Sequence, residues 1–321
     1  MNYVLLIGAG FSRNWGGWLA AEAFEYLLGC PQVDVGLRNL LWMHRLRGGF
    51  EDALAELQGE YLRRRDAISH QHLKKLQDAI SDMFSDMDKA FSSIPEFEFN
   101  KEASFSVRAF LLQFDAIFTL NQDLLLERHY LANRGPLGRW SGTYIPGVRP
   151  IRKDVRQLTE VYTDRWSPHP SEPDIHATKQ PFFKLHGSSN WFDADGQQLL
   201  VMGGNKADAI QRHPILAWNH KQFRTYLAQS PTRLMIIGYG FRDDHINHTI
   251  IEAAKGERLE IFIIDPYGLD VIDEHRHHMM YTPGPLVSAL KHRVVGASRR
   301  SLGEIFRGDS VERSKLMRFF A

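Results

Sequence analysis

Three short motifs, each closing a largely apolar run, limit what this chain can fold into. They are Gly8-Ala9-Gly10-Phe11-Ser12, Thr119-Leu120-Asn121-Gln122-Asp123 and Lys184-Leu185-His186-Gly187-Ser188. The runs before them, Tyr3–Ile7, Ala116–Phe118 and Pro181–Leu185, have the length of strands, and a fourth and fifth follow at Arg233–Ile237 and Leu259–Ile264. Strands this apolar, alternating with helical stretches, belong to a mainly parallel, doubly wound α/β sheet covered on both faces. In an open sheet of that kind ligands bind outside the carboxyl ends of the strands, so the three loops are expected to meet at one crevice.

The first loop is a strand-to-helix turn whose free N–H groups can hold phosphate oxygens. Its pattern is Gly8-x-Gly10-x-x-Arg13, with arginine in place of the third glycine of the dinucleotide fingerprint and no acidic residue at the expected spacing of about 20. That disfavours an ordinary NAD dehydrogenase, and no P-loop run is present. The plain structural reading is a turn that needs glycine. Asn121 and Asp123 can likewise be turn and N-cap residues ahead of Leu124-Leu125-Leu126-Glu127. His186 can be a core histidine, yet Gly187-Ser188-Ser189-Asn190 reads as a polar turn of a cleft, where an imidazole serves proton transfer near neutral pH. Gly238-Tyr239-Gly240 offers a second backbone approach, with Asp243 and Asp244 placed to cap the next helix. Asp265, after Ile264, is placed to accept from a ribose. A phosphate cradle facing amide, carboxylate and imidazole suits binding a dinucleotide and cleaving one of its bonds.

Between the first two motifs the pattern changes. A helix is expected from about Trp15 to Leu28, then three more at Leu37–Leu46, Phe50–Arg65 and Gln71–Phe91, the second with Leu54, Leu57, Tyr61 and Leu62 on its apolar face. Residues 35–100 are therefore expected to be an all-helical insertion into a domain made of 1–34 and 101–321. Residues 135–180, rich in Gly, Pro and Trp, are expected to form a lid or partner surface. Lys and Arg number 39 against 38 Asp and Glu, so no global field recruits nucleic acid or membrane. One cysteine, Cys30, rules out an internal disulfide and a cysteine-based zinc site. With no leader pattern and no apolar run of membrane-spanning length, a cytoplasmic protein is expected.

The order Gly-Ala-Gly-x-Ser, Thr-x-Asn-x-Asp and His-Gly resembles that of the sirtuin NAD-binding domain, a Rossmann-like fold. The Lys-Leu-His-Gly-Ser and Gly-Tyr-Gly-Phe-Arg-Asp-Asp versions are similar to those of bacterial sirtuin-like effectors of antiphage defence. The resemblance covers about 1–30 and 105–270. It implies that Gly8, Ala9, Gly10, Phe11 and Ser12 hold the pyrophosphate, and that Asn121 orients water or the nicotinamide ribose. Asp123 would contact the carboxamide and His186 would act as base near the ribose hydroxyls. Gly238, Tyr239, Gly240 and Asp265 would serve the adenosine half. The four-cysteine zinc module of sirtuin deacylases has no counterpart here, and Arg13-Asn14-Trp15-Gly16-Gly17 stands in place of their Pro-Asp-Phe-Arg run. The implied reaction is therefore hydrolysis of NAD to nicotinamide and ADP-ribose, with NAD as substrate and no zinc. The resemblance further implies a homo-oligomer, held latent and switched on by assembly or by a separate partner. That partner would be a HerA-type ATPase or an Argonaute-like protein, with nucleic acid reached only through it and no direct membrane contact.

Two other readings stand beside this one. Arg38-Asn39 followed by His44 resembles the Arg-polar-x4-His signature of HEPN ribonucleases, with Arg65 and His70 a looser echo. A non-catalytic NAD or nucleotide sensor would keep the same loops. The run Glu274-His275-Arg276-His277-His278 suggests metal at first sight, but adjacent helical histidines point to different faces, so it reads as solvated surface.

Overall fold

The computed structural model describes residues 1–132, 138–151, 163–169, 173–204, 206–229, 231–256, 258–273 and 284–321. Its centre is a seven-stranded sheet. In chain order the strands are β1 (Asn2–Ile7), β2 (Ala116–Thr119), β3 (Gly142–Tyr144), β6 (Lys179–Lys184), β9 (Thr232–Ile237), β10 (Leu259–Ile264) and β11 (Val294–Ser298); their spatial order is β11-β10-β9-β1-β2-β6-β3. Every pairing is parallel. The central strands are largely apolar because both faces are covered. Leu5, Ile7, Ile117, Phe182, Met235 and Ile237 enter one core, while Val4, Leu6, Phe118, Phe183, Leu234 and Ile236 enter the other. Successive residues thus serve opposite faces, as the period of two requires.

The first face carries the helices Ala20–Leu28, Val35–His44, Phe50–Arg64, Ala67–Ser92 and Leu302–Arg307. The second carries Pro214–Ala228, Asp244–Ala254 and Pro285–Leu290. Helices 35–92 share one continuous core with the sheet, through contacts that include Leu41, Leu57, Leu76 and Phe91.

The helix expected from Trp15 begins instead at Ala20. Arg13–Trp15 is a 3-10 turn ended by Gly16 at φ 87°, and the Trp15 ring is drawn out to stack on Phe97 and Phe99. Leu62, expected on the apolar face, is 62% exposed. Residues 187–190, expected as a polar turn, open strand β7 (Gly187–Phe192). With β4 (Val148–Pro150), β5 (Trp166–Pro168) and β8 (Gln198–Leu200) it forms a small second sheet in the order β4-β5-β7-β8. Gly187, at φ 78°, makes that change of direction possible: a Cβ there would sit 1.9 Å from the Leu199 carbonyl oxygen. The long 135–180 segment therefore supplies β3, β4 and β5, while its stretches 133–137, 152–162 and 170–172 lie outside the described residues, as does the histidine-rich run at 274–278. No helix among the described residues is long and apolar enough to cross a membrane.

Candidate functional site

Register places the site. Ile7 is paired with Thr119 and Ile237, Thr119 with Lys184, and Ile237 with Ile264, so five strands end on one row. Gly8, Leu120, Leu185, Gly238 and Asp265 follow that row immediately, and all the expected site residues leave the sheet at its carboxyl edge. The chain runs outward from β1 on one side through β2 and β6, then returns to β9 on the other. That reversal is the topological position where such sheets bind ligands.

The glycine loops serve each other first. The Gly8 N–H donates to the Ile237 carbonyl at 2.9 Å and the Gly10 N–H to the Gly238 carbonyl at 3.0 Å. Two of the amides expected to be free for phosphate are thus committed within the protein. What the glycines permit is backbone-on-backbone contact: a Cβ on Gly10 would meet Gly238 Cα at 2.7 Å, and one on Gly238, at φ 63°, would meet Gly10 C at 2.4 Å. Gly238→Ala combines left-handed strain with this overlap, and Gly10→Ala carries the overlap alone. Each is expected to lower unfolding stability, by about 2 kcal/mol or more for Gly238→Ala and about 1–3 kcal/mol for Gly10→Ala. Urea unfolding measures this, and a Gly238→Ala loss below about 0.5 kcal/mol would contradict the interlock.

Ser12 joins the first loop to the second. The Asn121 Nδ2–H donates to Ser12 Oγ at 2.9 Å, and the Ser12 hydroxyl donates to Asp123 Oδ2 at 2.8 Å. The other oxygen of Asp123 accepts from the Leu125 N–H at 3.1 Å, so the residue also caps the following helix. Burial pushes the Asp123 carboxyl up, against the opposing pull of Lys184 and of its hydrogen bonds. Phe11 and Tyr239 are turned inward, 0% and 4% exposed. Phe11 packs on Trp15, and the Tyr239 hydroxyl bonds Asn247 Oδ1 at 2.9 Å. Gly240 is exposed at the loop tip, and beside it Phe241 holds a left-handed φ of 52°, unusual for a bulky residue. Asp265 accepts from the Tyr267 N–H at 2.9 Å and closes its own turn.

Beneath the second loop lies a fully buried ion pair. Lys184 Nζ is 2.5 Å from Glu127 Oε1, with both side chains at most 1% exposed, and it also donates to the Asp123 carbonyl at 2.6 Å. Burial raises the Glu127 carboxyl while Lys184 works against that rise. Glu127 opens a π-helical segment, Glu127–Leu131, the kind of irregularity that often marks functional sites.

His186 is 3% exposed and lies against His245, the two Nε2 atoms 3.0 Å apart. Gln122 holds its backbone by donating to the His186 carbonyl at 3.4 Å and to Val201 at 2.7 Å, which ties the His186 loop to the Asn121 loop. His220 Nε2 faces the Leu185 carbonyl at 2.9 Å. Burial, together with the positive charge of Lys206, holds the His186 imidazole well below its usual range, and burial brings His220 down to about 4. Both rings are neutral at pH 7. Lys206 is held by Glu51 and Asp243, each at 2.7 Å. Burial works against its charge, yet the two carboxylates offset this and raise its pKa. Asp243 was expected to cap its helix; its carboxylate is instead engaged by Lys206, and the cap position makes no side-chain bond.

The rival arginine–histidine pair has structural duties. Arg38 donates to the carbonyls of Leu28 and Val33, and His44 Nε2 bonds Glu56 at 2.8 Å. The sole cysteine, Cys30, is buried with its thiol directed at the Tyr26 carbonyl.

A doubly wound parallel sheet with its polar cluster at the carboxyl edge defines an α/β ligand-binding protein. The family model for the SIR2-like domain matches residues 115–282, more than half of the 321-residue chain, and the chain belongs to that family. Membership points to a sirtuin-type, NAD-dependent activity. Among solved structures, Sir2Tm bound to a propionylated peptide aligns over 99% of this chain and 92% of that one, at 10% identity and a TM-score of 0.38. No curated protein matches the sequence.

Proposed function

We infer that this protein hydrolyses NAD+ to nicotinamide and ADP-ribose. The supporting observation is the continuous bonded path Asn121–Ser12–Asp123 across two strand ends, with the neutral His186 tied to the same loop through Gln122. Nicotinamide leaves from an oxocarbenium-like ribose, so the site has to orient the ribose, stabilise developing positive charge and place a nucleophile. The Asn121 amide positions the ribose or the attacking water. A neutral, buried imidazole at His186 can take the proton that water loses. Asp123, held by Ser12 and Leu125, contacts the carboxamide of the departing nicotinamide and orients it. Water is the acceptor in this reading because one cysteine cannot build the four-cysteine module that accompanies protein deacylation in sirtuins.

The resemblance to bacterial effectors extends the reading to antiphage defence, as an oligomer released from latency by assembly or by a HerA-type or Argonaute-like companion. The test is to incubate the purified chain with NAD+ and, separately, with RNA, over a range of protein concentrations. Nicotinamide and ADP-ribose should appear in equal amounts while RNA stays intact. NAD+ bound without turnover at every protein concentration, and still without it after the companion protein is added, assigns the sensor role instead, and a chain that neither binds nor cleaves NAD+ overturns the reading.

A further inference from the structure

Among the described residues one group of potential metal ligands converges. His186, His220 and His245 each bring a ring nitrogen within 4.8 Å of the others, and their ring centroids lie 5.2 to 6.2 Å apart. They come from three separate elements. His186 follows β6, His220 lies in helix Pro214–Ala228, and His245 stands in the first turn of helix Asp244–Ala254. We propose that these three histidines form a binding site for a divalent transition-metal ion of the zinc type, with water as the fourth ligand.

The orientation of the rings carries the argument. A carbonyl oxygen can only accept, so His220 must donate its Nε2–H to Leu185, which leaves the lone pair of the neutral ring on Nδ1. Histidine ligands are typically fixed in this way, one nitrogen bonded to a backbone carbonyl and the other aimed at the metal. His186 and His245 face each other Nε2 to Nε2 at 3.0 Å, one donating and one accepting, so these two nitrogens lie on the side of each ring turned toward the cluster. Two nitrogens on a tetrahedral zinc at about 2.0–2.1 Å lie about 3.3 Å apart, so on binding the pair opens by a few tenths of an ångström and the two rings turn their lone pairs from each other toward the ion. On binding, the Nε2–H proton between them moves to Nδ1 of the same ring and three neutral imidazoles donate lone pairs. No net proton is lost.

Charge around the cluster is divided: Lys206 opposes a cation at His186, while Asp243 favours one at His220 and His245. His245 sits at a helix N-terminus, which opposes one, but Asp243 and Asp244 stand in that same turn. Lys206, Glu51 and Asp243 together sum to −1 beside the histidines. An all-imidazole set selects zinc-type ions and suits neither magnesium nor calcium. If His186 is the base of the NAD-cleaving reading above, a bound ion occupies its lone pair and silences turnover. This consequence rests on that reading; the site itself does not.

The test uses the full chain, stripped with EDTA and titrated with Co2+, whose four-coordinate complexes absorb strongly in the visible. One Co2+ per chain should bind with that spectrum and be displaced by Zn2+. His220→Ala and His245→Ala, each checked for fold by circular dichroism, should weaken binding at least about tenfold. Replacing His275, His277 and His278 together by Ala should leave the spectrum unchanged. No four-coordinate spectrum in the wild type, or wild-type binding in both single variants, overturns the site. Adding Zn2+ to the NAD+ assay is the separate arm. Loss of nicotinamide release supports silencing, and release unchanged by bound Zn2+ overturns it. A metal-binding chain with no NAD+ turnover, alone or with the companion protein added, keeps the site and removes the catalytic reading.

Discussion

Asn121→Ala and His186→Ala are each expected to cut nicotinamide release by at least about 100-fold, the usual range for loss of a positioned proton-transfer or orienting group. Neither change should unfold the protein, because Asn121 is half-buried at a loop and His186 makes no ion pair. The two should differ in kind. Asn121→Ala also frees the Ser12 hydroxyl from one partner, so NAD+ binding should weaken along with turnover. His186→Ala leaves the Ser12–Asp123 bond in place and should affect turnover more than affinity. Initial-rate measurements of nicotinamide release, with KM separated from kcat, check both. Release at the wild-type rate from either variant removes that residue from the chemistry.

Lys184→Met should cost the most stability of any single change near the site. It strands Glu127, whose side chain is 1% exposed, and breaking a buried pair from one side costs about 3–5 kcal/mol. Burial favours the neutral carboxyl, so in the variant Glu127 should hold its proton well above 4.5, its ordinary value. A carboxyl raised in the folded state stabilises at low pH and loses that contribution as pH rises from the unfolded value toward the folded one. The variant's deficit should therefore grow between about pH 4.5 and neutrality. Adding Glu127→Leu should recover most of the loss, since two apolar side chains can replace a buried pair. Urea unfolding at pH 5 and pH 7.5 decides the matter; a Lys184→Met loss under about 1 kcal/mol, or no recovery in the double variant, contradicts it.

Much of the sheet was legible because each buried strand is a short apolar run stopped by Gly or a polar loop, as at Ile7-Gly8 and Ile237-Gly238. The convergence of the loops followed from parallel topology alone. The second small sheet was not legible, since Gly187-Ser188-Ser189-Asn190 has the composition of a turn and becomes a strand only through pairing with residues 198–200. The Lys184–Glu127 pair did leave a signal: a lysine between the apolar Pro181–Phe183 and Leu185 has to find a carboxylate. That signal went unread because Glu127 lies on another element. His220 and His245 could not be joined to His186 from sequence, because residues 34 and 59 positions away meet it only once two helices pack on one face of the sheet. Phe11 and Tyr239 belong to their motifs by position, yet their side chains complete the core.

β1 sits between β2 and β9, so its neighbours are supplied by residues 116–119 and 232–237. During synthesis the first strand leaves the ribosome with no partner, and its second edge stays open until some 230 further residues are made, on the order of ten seconds or more at ordinary elongation rates. The Gly10–Gly238 contact closes at that same late moment. A nascent chain short of β9 therefore has the first loop and the Asn121 loop but no fourth wall to hold them, and incomplete products of translation carry no finished site.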